Sequence, residues 1–388
     1  MDSDSNLKQV DVGIAASHWR DWLRLCMTPL LGFHAQKVLI DALGGPRQVF
    51  EQPIDMMRRF VSEAQAQSLQ VIPTEWSAVC ERTEVWLQQT PQGVLQQVWT
   101  WDHPRYPQML RDTQDPPWLL YAQGQLQHAC WQGVAMVGSR NPTLQGKENA
   151  RRFADQLQQS GCCIVSGLAM GIDAAAHQGA LENARTDRCA TVAVVGTGLD
   201  LVYPRQHHAL AKQVAQHGWV ISELPPGTPP LPHHFPRRNR LIAGLSHGVL
   251  VVEAALKSGS LITADLALTQ GKEVFAVPGS IHSVLSRGCH ALLRQGAKLV
   301  ETAHDVMEEL PFVAPELPLA DPLANEVAFT DTKLQAVYKV LNHEPQHLDS
   351  VLLNSGLSLE EALIALQQLQ DINRVVALPG GLYQWLHR

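Results

Sequence analysis

Between residues 130 and 310, short apolar runs alternate with stretches whose apolar positions recur at helical spacing. The runs are Val134–Val137, Cys163–Val165, Val192–Val195, Trp219–Ile221, Val249–Val252 and Val274–Val277. Short, β-rich apolar runs of this kind suit strands buried on both faces, and alternation with helices predicts a mostly parallel sheet. The expected fold class is α/β: a Rossmann-like, mostly parallel sheet with helices on both faces. In such sheets ligands sit outside the carboxyl ends of the strands, where helix N-termini point inward.

The flanks read differently. Trp19, Trp22, Leu23 and Leu25 form one helical stripe; Pro29 and Gly32 mark a turn; Val38, Leu39 and Leu43 form a second stripe ending at Gly44-Gly45. This predicts a small helical (SAM-like) N-terminal domain. Its helix-turn-helix start is open to two readings, a DNA-backbone contact or a plain helix bundle. At the other end, Leu334, Val337, Val340 and Leu341, then His347–Asn354, then Leu359–Leu369 give three helices. Val375–Leu378 and Leu382–Trp385 around Pro379-Gly380-Gly381 give a hairpin. Three helices and a hairpin predict a winged-helix domain. Its third helix opens with Glu360 and Glu361, which would repel phosphates, so a protein-contact or packing role is favoured over DNA reading. Proline-rich stretches at His103–Trp118 and Pro311–Pro322 mark boundaries. The expected division is 1–100 helical, 101–310 Rossmann-like with a lead-in segment, 311–330 linker and 331–388 winged helix.

Composition narrows the class. Apolar residues are 45% and charged residues 17% of the 388, as in ordinary globular protein. No apolar run approaches the ~20 residues of a membrane helix. Met1–Lys8 is polar and acidic, unlike a secretory signal. Seven cysteines without a CxxC pair read as reduced thiols in a cytosol. These features predict a cytoplasmic protein. The net charge of −7 argues against a polyanion partner, but its distribution does not: residues 131–310 carry 16 Lys/Arg against 14 Asp/Glu, while every other segment is negative. Arg237, Arg238 and Arg240 cluster there, and a local patch is what steers a polyanion.

Five loops follow predicted strands. Gly138-Ser139-Arg140-Asn141-Pro142 offers a glycine for close approach, a cap and helix start, and a bidentate phosphate fork. A plain glycine turn with a surface arginine is the alternative. Ser166-Gly167-Leu168-Ala169-Met170-Gly171-Ile172-Asp173 is followed by His177. Asp173 and His177 are four apart on a helix face, either an acid–base pair or, as favoured here, an N-cap and its neighbour. Gly196-Thr197-Gly198 lacks the third glycine of a dinucleotide fingerprint. Phe235-Pro236-Arg237-Arg238-Asn239-Arg240 sets an aromatic beside three arginines, the combination that holds single strands by stacking and charge. Lys257-Ser258-Gly259-Ser260 forms a candidate anion nest at a helix start, without Walker spacing. Arg140, Arg237, Arg238, Arg240 and Lys257 together would give a log–log salt slope of about −3.5 on a single strand.

Taken as a set, the motifs resemble the DNA-processing protein A (DprA/Smf) family. GSRNPT at 138–143, SGLAMGIDAAAH at 166–177, FPRRNRLIAGLS at 235–246 and VVEAALKSGSLITADLAL at 251–268 carry the resemblance, with VFAVPGS at 274–280 and GCHALLRQGAKLV at 288–300. It implies single-stranded DNA binding, a homodimer, and loading of the RecA recombinase in natural transformation. It implies no catalytic turnover, no cofactor and no metal. The expected DNA-binding residues are Gly138, Ser139, Arg140, Ser166, Gly167, Phe235, Arg237, Arg238, Asn239, Arg240, Lys257, Ser258, Gly259 and Ser260. A dimer patch is expected near Leu241–Leu245 or Leu292–Leu293. The competing reading is a nucleotide-binding or nucleotide-hydrolysing enzyme on the same fold. It lacks support because Pro278-Gly279-Ser280-Ile281 departs from the PGGxGTxxE loop of such hydrolases.

Overall fold

The computed structural model describes residues 18–89, 94–125, 132–310, 331–341, 345–372 and 374–385. The expected linker, 311–330, lies outside them. The described residues open with helix α1 (18–27), then α2 (Phe33–Leu43), α3 (Pro46–Glu51), α4 (Ile54–Met57), α5 (Glu63–Gln70) and α6 (Trp76–Gln88). Helix α2 stops where the sequence predicts. Gly44 takes a left-handed φ of 94°, and its N–H bonds back to the Ile40 carbonyl.

The sheet follows as β1 (Leu95–Thr100), α7 (Gln108–Arg111), β2 (Leu119–Gly124), β3 (Gly133–Val137), α8 (Leu144–Gln159), β4 (Cys163–Ser166), α9 (Ile172–Glu182), β5 (Thr191–Val194), α10 (His208–His217) and β6 (Gly218–Ser222). It continues as α11 (His234–Gly244), β7 (Gly248–Val251), α12 (Gly259–Thr269), β8 (Glu273–Ala276), α13 (Arg287–Arg294), β9 (Lys298–Leu299) and α14 (Ala303–Met307). The described strands stand in the order β1-β2-β6-β5-β4-β3-β7-β8-β9. Neighbours from β6 to β9 are parallel, and β1 and β2 are antiparallel additions at one edge. The six predicted strands are the parallel core. Strand β1 and the pair it makes with β2 were not predicted.

Side chains alternate between the two faces, as a strand period of two requires. Ala135, Val137, Val249 and Val251 pack with Leu241 and Ile242 of α11 and Ala264 of α12. Val134, Met136 and Leu250 face the other way, against Ala150 and Phe153 of α8 and Ala176 of α9. The chain leaves β3 toward β4 on one side and later returns to place β7 on the other side. The order therefore reverses between β3 and β7, which makes a switch point there.

The N-terminal helices share a core with the sheet edge. Trp19, Trp22, Val79 and Trp86 pack with Trp118, Tyr121 and Val220. Trp118 stacks on Trp22 at 5.3 Å and Phe33 at 5.0 Å, and its Nε1 donates to Gln36 Oε1 at 2.7 Å. The same buried glutamine donates to the carbonyls of Leu25 and Leu31 at 3.0 and 3.1 Å, clamping the α1–α2 turn. The six described cysteines are free thiols.

The C-terminal residues form a separate compact unit. It contains α15 (Thr332–Val340), β10 (Gln346–His347), α16 (Leu348–Ser355), α17 (Leu359–Asp371), β11 (Val375–Leu378) and β12 (Leu382–Trp385). Val337, Val351, Leu366, Leu369 and Val375 make its core, and the strands run antiparallel in the order β10-β12-β11. Glu361 closes a capping box with Ser358 and pairs with Lys333 at 3.0 Å; that lysine holds its carboxyl down to about 2. One of the two carboxylates at the start of α17 is thus already neutralised.

Trp118 joins the helical segment to the sheet, so Trp118→Ala is expected to lower stability by about 3–5 kcal/mol. Trp118→Phe keeps part of the ring stack but strands Gln36 Oε1, costing about 1–3 kcal/mol. Urea denaturation of both variants measures the two values. Near-native stability of the alanine variant would show that the helices do not depend on this stack.

Candidate functional site

At the switch point the loops after β3 and β7 are bonded to each other. Ser139 N donates to the Glu253 carbonyl at 2.7 Å, and Val252 N to that of Val137 at 3.2 Å. Gly138 is a glycine because a Cβ there would stand 2.6 Å from Ile172 Cγ1 and 2.9 Å from Glu253 O. The missing side chain is what lets the two loops pack. Outside these loops lies an open cleft of about 610 Å³.

Of the residues expected at the site, Gly138, Arg140, Phe235, Arg238, Asn239, Ser258, Gly259 and Ser260 line the cleft; Ser139, Ser166, Gly167, Arg237, Arg240 and Lys257 do not. The exclusions have physical causes. Ser139 Oγ accepts from Asn141 N at 3.1 Å. Ser166 is buried, its hydroxyl donating to the Met136 carbonyl at 2.7 Å. Gly167 makes room for an arginine: a Cβ would lie 2.5 Å from the Arg238 guanidinium carbon.

The arginine cluster divides. Arg238 is buried, and its Nη1 donates to the carbonyls of Gly167 (2.6 Å) and Val194. Burial lowers its pKa to about 10, with Asp173 acting against the shift, so it stays charged at neutral pH. Arg240 pairs with Glu223 at 2.6 Å and with Asp115, and Arg237 pairs with the same Glu223 oxygen at 3.0 Å. Arg140 and Lys257 are exposed and form no ion pair among the described residues. The Arg140 guanidinium lies 5.8 Å from the Phe235 ring centroid, within cation–π range. Across the cleft, Ser258 caps the start of α12 by accepting from Ser260 N.

Asp173 is not the helix cap. Helix α9 begins at Ile172 with Gly171 at the cap. The Asp173 carboxylate instead accepts from the amides of Gly167 and Ala169 at 3.1 and 3.3 Å, drawing in the loop before it. Burial pushes its pKa up, and the Arg238 charge opposes that. His177 turns away to Thr191 Oγ1 at 2.7 Å. The Thr191 hydroxyl donates to the Ile164 carbonyl at 2.6 Å, so His177 Nδ1 is the donor of the first bond and Nε2 is bare. Nothing in this arrangement is an acid–base pair. Asp173 and Tyr203 line the cleft without having been singled out as ligand residues.

Among the described residues no group of three or more His, Cys, Asp or Glu could hold a metal ion, and no helix is long and apolar enough to cross a membrane.

Fold and cleft define a Rossmann-like α/β protein with an open, arginine-bearing crevice at its switch point. The family described as DNA recombination-mediator protein A matches residues 97–311, and the chain belongs to it. Protein Smf of Escherichia coli (strain K12) is 41% identical over 283 residues, covering 71% of this chain and 74% of its own length. DNA processing protein DprA of Streptococcus pneumoniae is 46% identical over 207 residues, 53% of this chain and 72% of the relative. An X-ray structure of DprA from Streptococcus pneumoniae superposes with a TM-score of 0.63 at 35% identity, covering 75% of this chain and 98% of that one.

The buried histidine generates a pH dependence. Burial pushes His177 from its usual 6.5 to about 3. Between those values the unfolded chain binds the extra proton, so stability rises with pH and is lost as pH falls. From pH 7.5 to 5 the wild type should lose about 2 kcal/mol more than His177→Asn, at ~1.4 kcal/mol per unit once titration is under way. Urea titrations at both pH values test this; parallel losses would mean that His177 is protonated in the fold.

Proposed function

We infer that this chain is a non-catalytic DNA-processing protein that holds single-stranded DNA in the cleft between β3 and α12. The observation that carries the reading is the exposed Arg140 beside Phe235, without an ion pair among the described residues and sharing the cleft with the start of α12 at the switch point. An arginine supplies a phosphate fork, an aromatic supplies a stacking face, and a helix N-terminus favours an anion. Family membership supports the role in DNA processing. In this reading the protein protects incoming strands and loads the RecA recombinase onto them in the cytoplasm during natural transformation. The C-terminal unit is read as a winged helix that contacts protein, in keeping with exposed Leu353, Leu359 and Ile364 around the start of α17.

Ion pairing alters the expected electrostatics. Arg238 is committed to backbone, and Arg237 and Arg240 share Glu223. With Arg140 and Lys257 left to meet phosphates, the salt slope on oligo-dT becomes about −1.4, approaching −2 if Arg237 is released. Arg140→Ala should weaken binding by about 1.5–3 kcal/mol and flatten the slope by ~0.7. Titration of oligo-dT at several salt concentrations measures both. Unchanged affinity in a folded variant, or tighter binding of a duplex of equal length, would overturn the reading; turnover of added nucleotides would favour the hydrolase.

The homodimer is read at a different patch from the first one expected. Leu241, Ile242, Ala243 and Leu245 are buried, so that run offers no surface. Leu292 is buried too, but Leu293 lines a shallow depression with Leu256, Ile281, Arg287, His290 and Arg294. Ile281 is 75% exposed, an apolar group that a second copy would cover. Light scattering should give twice the mass of one chain, and Ile281→Arg should return it to one. A monomeric wild type would remove the dimer, and a dimeric Ile281→Arg would move it elsewhere.

A further inference from the structure

We propose that Tyr203 is the outer base platform of the cleft, its ring stacking on a nucleobase with Phe235 as backing. The inference rests on the single-strand reading above. Tyr203 lies in the connection from β5 to α10, lines the cleft, and is 48% exposed. Its ring centroid is 5.6 Å from that of Phe235, at 45°. Phe235 is already engaged by the protein. It sits over Gly196, where a Cβ would lie 3.2 Å from Phe235 Cδ1, and the Arg140 guanidinium stands 5.8 Å from the ring. Tyr203 is therefore the more open ring of the pair.

The Tyr203 hydroxyl bonds to no described residue and the side chain lines the cleft, so the ring face is open to a ligand. A ring half out of water beside an open, cation-bearing cleft suits a flat apolar ligand with a charged backbone. A strand whose phosphates lie on Arg140 brings bases within one nucleotide's reach of this face. The contact reads no sequence, because every base has a π face.

The test compares oligo-dT of about twelve nucleotides with an abasic strand of equal length, on the full chain. Tyr203→Ala should weaken oligo-dT binding by about 5- to 150-fold. The abasic strand should bind wild type and Tyr203→Ala alike, because its phosphates keep Arg140. Tyr203→Phe should restore oligo-dT binding to within about twofold of wild type. Tyr203→Trp should bind and lose fluorescence as the base stacks. Equal loss on both strands would make Tyr203 a structural residue and overturn the proposal. Arg140→Ala separates the two levels. If it weakens binding while Tyr203→Ala leaves oligo-dT affinity unchanged, the platform fails and the cleft stands. If wild type does not bind oligo-dT, both fail.

Discussion

One buried guanidinium organises the carboxyl edge of the sheet. Arg238 projects from α11 and bonds the loop after β4 through Gly167 O and the end of β5 through Val194 O. Opposite it, Asp173 gathers the amides of Gly167 and Ala169. Removing the guanidinium would strand the Gly167 and Val194 carbonyls, and removing the carboxylate the Gly167 and Ala169 amides, a loss of about 1–3 kcal/mol for each buried group left without its partner. These bonds to Gly167 and Ala169 flank Leu168, which takes a left-handed conformation at φ 56°, where its side chain reaches the core and its carbonyl meets His207 Nδ1 at 2.9 Å. Strain of this kind, of order 1–3 kcal/mol, persists only where the surroundings over-determine it. With α11 fixed in this way, Phe235, one turn earlier, falls beside Arg140, and Asn239 falls on the cleft wall.

The six parallel strands from β3 to β8 were legible because each is largely buried on both faces and so reads as an apolar run, whereas the two-residue, half-exposed β9 gives no such run. Strand β1, Leu-Gln-Gln-Val-Trp-Thr, has no such run, and it lies just before a proline-rich stretch that reads as a boundary. Its partner β2 follows those prolines and closes the sheet edge by antiparallel pairing that no periodicity in the sequence specifies. The hairpin Val375–Leu378 with Leu382–Trp385 was legible because its turn chemistry and its strands agree.

The site was legible as loops but not as roles. Strand-loop-helix spacing singled out segments that the fold does gather, since Gly138, Arg140, Phe235 and Ser258–Ser260 line one cleft. What the sequence hides is which charges are already paired. Glu223 lies fourteen residues before Arg237, in a proline-rich connection, and nothing in that spacing shows one carboxylate serving two arginines. Arg238 reads like its neighbours, yet the helical turn aims it into the protein. Tyr203 was visible only as a Tyr-Pro step after the Gly196 loop, a signal with no chemistry until Phe235 is seen beside it.

These pairings change what kind of grip the cleft can exert. If all five cations had faced outward, charge would dominate, and affinity would collapse with salt. With Arg238 bonded to backbone carbonyls, and Arg237 and Arg240 on Glu223, Arg140 is, among the described residues, the cleft-lining cation that forms no ion pair and is exposed. On the single-strand reading, electrostatics of that size would orient a strand more than hold it, and rings, proline walls and helix-start amides would supply the rest. Such a grip is consistent with a chain of net charge −7: it needs no basic surface, only one fork beside two tilted rings. On the single-strand reading it would also discriminate by shape, because a duplex keeps its bases inside and cannot offer them to rings on the cleft wall.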